Sequence, residues 1–232
     1  MRPRQLADGS AVAQVLMAAV GAGQLLPGRD YTAQALAKDY DASVAAVETA
    51  LRALASDGLF RLVAGGFRLA RVSAGEFREL RELRMLIEVR TLRDAAETGI
   101  SDTELGRLRV LAQATVHAAE SDDSIAYIRA DLELHLALVG LRGSVDMVGI
   151  VRVLRIRGGL HGIGSEPAAF MRTSAQEHVT LVELLGEGET NAAADLLRRH
   201  IGRLDDVMVA GGHGPRDEQA AERADPYEDA SG

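Results

Sequence analysis

The stretch that decides the fold is Asp41-Ala-Ser43-Val44-Ala-Ala-Val47-Glu-Thr-Ala50-Leu51-Arg-Ala-Leu54-Ala-Ser56-Asp57-Gly58-Leu59-Phe-Arg-Leu-Val63-Ala-Gly65-Gly66-Phe67-Arg-Leu-Ala-Arg-Val72. Its first three residues read as a turn plus N-cap. Val47, Ala50, Leu51 and Leu54 then recur at the helical period, so a helix is predicted from Val44 to about Ser56. Asp57-Gly58 ends it. Leu59 to Val63 and Phe67 to Val72 alternate apolar and polar residues around a Gly65-Gly66 turn, the pattern of a β-hairpin. Two helices precede this stretch. One spans Ala11 to Val20, closed by Gly21, Gly23 and the Pro27-Gly28 turn; Thr32 caps the other, which runs to about Asp39 with Leu36 and Ala37 inward. Helix, helix, tight turn, helix, hairpin is the layout of a winged helix-turn-helix, whose third helix enters the major groove of DNA.

Beyond Val72 the strand pattern does not return. Ser73 caps a helix from Ala74 to Ala96, and further helices are predicted over Asp102 to Ala119, Asp122 to Val139, Ser144 to Leu154, Ala168 to Leu185 and Thr190 to Ala210. Six helices of this length form an antiparallel all-α bundle. The fold class is therefore mostly α: a winged helix-turn-helix over 1–72, a helical domain over 73–210, and a disordered acidic tail over 211–232.

The chain of 232 residues is long enough for two domains, and 47% apolar residues can bury a real core. With no cysteine, disulfide scaffolds, thiolate metal sites and cysteine nucleophiles are excluded. Aromatics at 3% exclude stacking platforms for single-stranded nucleic acid. The net charge of −8 argues against a uniformly basic coat, but it is uneven: residues 1–72 carry net +2 and the rest −10. Arg2 and Arg4 before an apolar run superficially suggest a signal peptide. Asp8, Gln14 and the turn at Gln24–Gly28 speak against it, and the run is far short of the roughly 20 residues a membrane span needs, so a cytoplasmic protein with no membrane partner is expected.

The helical half holds Asp131-Leu-Glu-Leu-His135, in which two side chains four residues apart share one helix face and can chelate one ion. His178 and His200 occupy similar inward positions on two later helices. A single histidine on an apolar face is ordinarily a satisfied core residue. Three imidazoles and one carboxylate from three helices instead suit a divalent metal, zinc first, with nickel, manganese or iron admissible, and leave positions for water or an anion. His117, His161 and His213 fit no such pattern. A metal-dependent hydrolase is the enzymatic alternative, with Glu133 or Glu177 as base. Glu133 stands two residues from either ligand, off their face.

At this point the chain resembles the GntR family of bacterial transcription regulators, in the FadR-like branch with an FCD effector-binding domain. The resemblance spans residues 10–210. It rests on Gly23-Gln-Leu-Leu-Pro27-Gly28, Leu36-Ala37, Ser43-x-x-x-Val47-x-x-Ala50-Leu51-x-x-Leu54, Gly58-Leu59 and the Gly65-Gly66 wing. In the bundle it rests on Arg84-x-x-Ile87-Glu88, Asp131-x-x-x-His135, Glu177-His178 and His200-Ile201. It implies a ligand-responsive regulator, dimeric on a double-stranded DNA operator, with metal on Asp131, His135, His178 and His200 and a small organic acid as effector. Arg84 matches a family arginine that pairs with the effector carboxylate; the other reading makes it a surface arginine among Glu79, Glu82 and Glu88. The DNA contacts implied are Lys38, Ser43, Ala45, Ala46, Thr49, Arg52, Gly65, Gly66 and Arg68. Where family members carry arginines after the cap serine and after the buried valine, this chain has Val44 and Glu48, and Asp41 replaces the turn glycine. Two phosphate contacts are lost and Glu48 adds repulsion. An unusual operator is one consequence; the other is a regulator with weakened DNA binding that acts through a partner.

Overall fold

The computed structural model describes residues 6–21, 24–159 and 168–203. Gly23, His161, His213, the end of the last predicted helix over 204–210 and the tail over 211–232 lie outside them.

In chain order the described elements are α1 (Gly9–Gly21), β1 (Asp30–Tyr31), α2 (Ala33–Asp39), α3 (Val44–Ser56), β2 (Phe60–Val63), β3 (Gly66–Leu69), α4 (Ala74–Thr98), α5 (Asp102–Glu120), α6 (Ser124–Gly140), α7 (Val145–Gly159), α8 (Ala168–Gly186) and α9 (Thr190–Gly202). The architecture is mostly helical with one small antiparallel sheet, as expected from the sequence.

Helix α3 starts and stops where its capping chemistry says. The Ser43 hydroxyl accepts from Ala46 N–H at 3.2 Å, and Asp41 takes the left-handed turn at φ 47° that a glycine would otherwise supply. Val47, Ala50, Leu51 and Leu54 are buried against Val12 and Leu16 of α1 and Leu36 of α2. Burial of each large apolar side chain stabilises the head by about 1.5–3 kcal/mol. The sheet has three strands in the order β1-β3-β2, one more than the hairpin read from the sequence. Two residues of β1 are too few to show alternation, so only the register of Asp30 with Arg68 and Tyr31 with Phe67 reveals it.

The wing turn is Ala64-Gly65, with Gly65 at φ 85°, and not Gly65-Gly66. Gly66 already belongs to β3, paired with Val63. Its lack of a side chain serves a different purpose: a Cβ there would stand 2.4 Å from the Tyr31 carbonyl oxygen of the adjoining strand.

In the bundle, Ser73–Glu76 and Ser101–Glu104 form capping boxes that start α4 and α5. α6 begins two residues later than expected because Asp122 is left-handed, at φ 52°, and Asp123 is the N-cap. α7 runs five residues past Leu154 to Gly159, which adds Arg155 and Arg157 to it. Four apolar clusters result among the described residues, two of them large. One fills the bundle between α4, α5, α6, α8 and α9. The other fills the head and continues into the body through Phe77 and Leu80 of α4 and Leu154 of α7. No described helix is long and apolar enough to cross a membrane.

Gly66→Ala is expected to push β1 off β3 and lower stability by about 1–3 kcal/mol, the cost of overpacking a closed contact. Chemical denaturation checks it, beside Gly65→Ala, whose cost comes from backbone strain alone.

Candidate metal centre and DNA-facing surface

Asp131 and His135 lie one turn apart on α6, His178 in the middle of α8 and His200 near the end of α9. Their ligand atoms all fall within 4.8 Å of one another. The Nε2 atom of His200 is 3.3 Å from that of His135 and 3.2 Å from that of His178. Asp131 Oδ1 is 3.7 Å from His135 Nε2 and 3.4 Å from His178 Nε2. Two donors each about 2.1 Å from one ion, in tetrahedral or octahedral array, stand about 3.0–3.4 Å apart.

The outer nitrogens fix the tautomers. His135 Nδ1 meets Glu88 Oε2 at 2.5 Å, and His200 Nδ1 meets Glu177 Oε2 at 3.0 Å. A carboxylate only accepts, so both rings carry their proton on Nδ1. His178 Nδ1 meets Thr115 Oγ1 at 3.1 Å, and that hydroxyl spends its own proton on the Ala112 carbonyl at 2.7 Å. It can only accept from His178. Three bare Nε2 lone pairs therefore face one point in a buried space. Such a set repels itself unless a cation or proton sits between its members, and anchored imidazoles of this tautomer are the arrangement in which histidine binds metal.

Burial holds His135 down to about 4, with Arg155 adding to the shift and Glu88 opposing it. Burial, with His200 beside it, also puts His178 well below the usual imidazole range. Asp131 is the reverse case: burial opposes its charge, but Arg155 first and then the imidazoles keep its carboxyl below the usual range. Asp131, His135 and His178 thus stand in their metal-binding protonation state near neutrality.

Arg84 is not a surface residue. It is buried and its Nε donates to Glu88 Oε1 at 2.7 Å, so it supports the partner of His135. The residue that sequence reasoning missed is Arg155 of α7. Its guanidinium pairs with Asp131 Oδ2, its side chain is only 9% exposed, and its Nε and Nη1 have no hydrogen-bond partner among the described residues. The short reading of α7 had left it outside a helix. Thr115 was also missed, since one threonine in a helix gives no signal of what packs on it. Neither proposed base is placed to act: Glu177 is held by His200 and Arg203, and Glu133 lies on the exposed side of α6 facing Arg129.

A family profile described as the FCD domain matches residues 79–203, more than half the chain. The chain belongs to the FCD-domain family. Three solved structures share the fold of this FCD chain. Escherichia coli McbR/YncC has 19% identity and a TM-score of 0.73, over 87% of this chain and 97% of that one. A Rhodococcus sp. RHA1 protein described as a transcriptional regulator GntR has 20% identity and a TM-score of 0.69, over 87% and 97%. Lar of Listeria monocytogenes, described as controlling expression of the agr system, has 19% identity and a TM-score of 0.58, over 88% and 95%. Comparison with curated proteins gave no match.

On the head of this FCD chain, Val44, Ala45, Glu48, Thr49 and Arg52 form the exposed side of α3, and Lys38 is exposed at the end of α2. Ala46 is not among them: at 4% exposure it belongs to the head core and cannot reach a base. Ser43 is half-buried and its oxygen is engaged in the cap. Thr49 Oγ1 donates to the Ala45 carbonyl at 2.9 Å, which leaves its lone pairs for a partner. Gly65 is at the tip of the wing. Arg68 is already clamped to Asp30 of β1, at 2.6 Å and 3.0 Å, so it braces the sheet. Arg61 stands opposite it in the ladder and is exposed.

The two depressed histidines set a pH dependence. An unfolded imidazole takes its proton near 6.5, the folded His135 only near 4. Between those values the unfolded chain binds more protons, so stability falls as pH drops, by up to about 1.4 kcal/mol per pH unit for each such histidine. Urea midpoints of metal-free protein should therefore decrease from pH 6.5 to pH 5, above the range where carboxylates titrate. A flat profile over that interval would count against neutral, buried imidazoles.

Proposed function

We propose that the chain is a ligand-responsive DNA-binding transcription regulator, cytoplasmic and homodimeric, whose helical body holds a divalent metal and a small organic acid. The observation that carries this reading is the convergence of Asp131, His135, His178 and His200 behind a winged head whose recognition helix exposes one side. Fold likeness to proteins described as regulators supports it. The nitrogen and oxygen donors suit zinc, with nickel, manganese or iron as alternatives that availability decides. A divalent ion held by these four residues would supply a Lewis-acid anchor for an anion. The chain's own residues do the rest: Glu88, Thr115 and Glu177 orient the imidazoles, and Arg155 presents buried donors beside Asp131.

Metal analysis of the purified protein beside His135→Ala tests the body. Wild type should retain about one ion per chain and the variant far less, because a ligand and its anchored geometry are both lost. Equal content in the two would sink the metal site.

The head is tested by DNA. Glu48 stands on the exposed side of α3. Glu48→Arg should tighten binding to the chain's own upstream region and steepen the dependence of log K on log salt by about one unit per phosphate gained. An unchanged slope would mean that α3 does not face DNA. A second reading, a regulator acting through a protein partner, is favoured by the same Val44 and Glu48. It gains if wild-type dimer shows no binding to that region at low salt.

A further inference from the structure

Residues 151 to 157 of α7 touch three different parts of the molecule. Val151 is fully buried with Leu132, Leu136 and Val139 of α6. Leu154 belongs to the apolar core of the head, together with Phe77 and Leu80, and Ile156 packs against that core. Arg155, between them, pairs with Asp131 at the metal centre. Arg157 reaches the head itself: a Cβ on Gly58, the residue two past the end of α3, would lie 3.2 Å from Arg157 Cδ. Its guanidinium is 3.7 Å from Glu76 at the start of α4. One short helix thus binds a ligand of the candidate metal centre by one residue and the underside of the recognition helix by its neighbours.

We propose that loading of the metal site is felt by the DNA-binding head through Arg155 and α7. The inference rests on the metal reading above and assigns its route. Without an ion, Asp131 Oδ1 faces histidine nitrogens that carry no proton to donate. With one, that oxygen is fixed, Oδ2 stays with Arg155, and the guanidinium is held on a rigid carboxylate. α7 is then anchored at its centre, so the surface made by Leu154 and Arg157 under Gly58 opens less often. Local opening, and not a large displacement, is the quantity that changes. The Nε and Nη1 of Arg155, buried and without a hydrogen bond among the described residues, Nη1 lying 3.9 Å from Glu88, would give an anion at the metal a second hold on the same helix.

α4 also runs from head to centre, through Phe77, Leu80, Arg84 and Glu88, so the test must cut α7 alone. Hydrogen exchange of the full chain is followed with and without stoichiometric Zn2+, and metal content is measured in every sample. In wild type, zinc is expected to slow exchange over 54–60 several-fold more than over α2. Arg155→Met should keep zinc and lose that excess. Arg157→Ala, which leaves every ligand intact, should lose it as well. An excess that survives Arg157→Ala overturns the proposal, as does zinc-loaded wild type with no excess. If Arg155→Met fails to hold zinc, Arg157→Ala decides alone. Wild type that takes up no zinc removes the metal reading itself, and this route with it, and the metal analysis tells the two failures apart.

Discussion

Three imidazole rings turn their unprotonated nitrogens toward one another inside the bundle, and the body is arranged to keep them there. His135 is anchored from α4 by Glu88, His178 from α5 by Thr115, and His200 from α8 by Glu177. Five of the six body helices therefore contribute either a ring, a carboxylate ligand or an anchor. Left to itself the cluster is unfavourable, because lone pairs in a buried space repel and water is excluded. The apolar core around Leu134, Leu181, Leu197 and Ile201 holds it closed.

Charge is handled by the same economy. Glu88 serves His135 and Arg84 at once, and Asp131 serves the histidines and Arg155. Each buried carboxylate is thus bound to a buried guanidinium, which offsets the large desolvation cost that either would carry alone. Glu88 illustrates the balance: burial opposes its charge, yet Arg84 and His135 keep it well below the usual carboxylate range. Arg155 stands between the two carboxylates: it pairs with Asp131 and lies 3.9 Å from Glu88, while its Nε and Nη1 make no hydrogen bond among the described residues.

In the head, several residues that the sequence offers as DNA contacts are spent on stability instead. Arg68 could face a phosphate, but the register of β1 on β3 sets Asp30 beside it. Ala46 appears in the run Val44-Ala45-Ala46, yet the helical period turns it into the core while Ala45 stays outside. The basic excess of the amino-terminal region is correspondingly thin on the α3 surface, where Arg52 is opposed by Glu48.

The sequence by itself determined the element order, because capping residues and apolar periodicity act over a few neighbours: Thr32, Ser43, Ser73 and Ser101 each start a helix where they stand. It also picked out the candidate ligands, because a shared helix face brings Asp131 to His135 and because His178 and His200 fall at inward positions of later helices. What it could not contain is contact across the chain. β1 is too short for any periodicity, and Gly66 looks like a turn residue until the Tyr31 carbonyl is seen against it. The burial of Arg84, the Thr115 anchor 63 residues from His178 and the pairing of Arg155 with Asp131 arise only when helices pack, since each depends on which faces meet. Local rules wrote the elements and the candidate ligands. Packing decided which charges those ligands lean on.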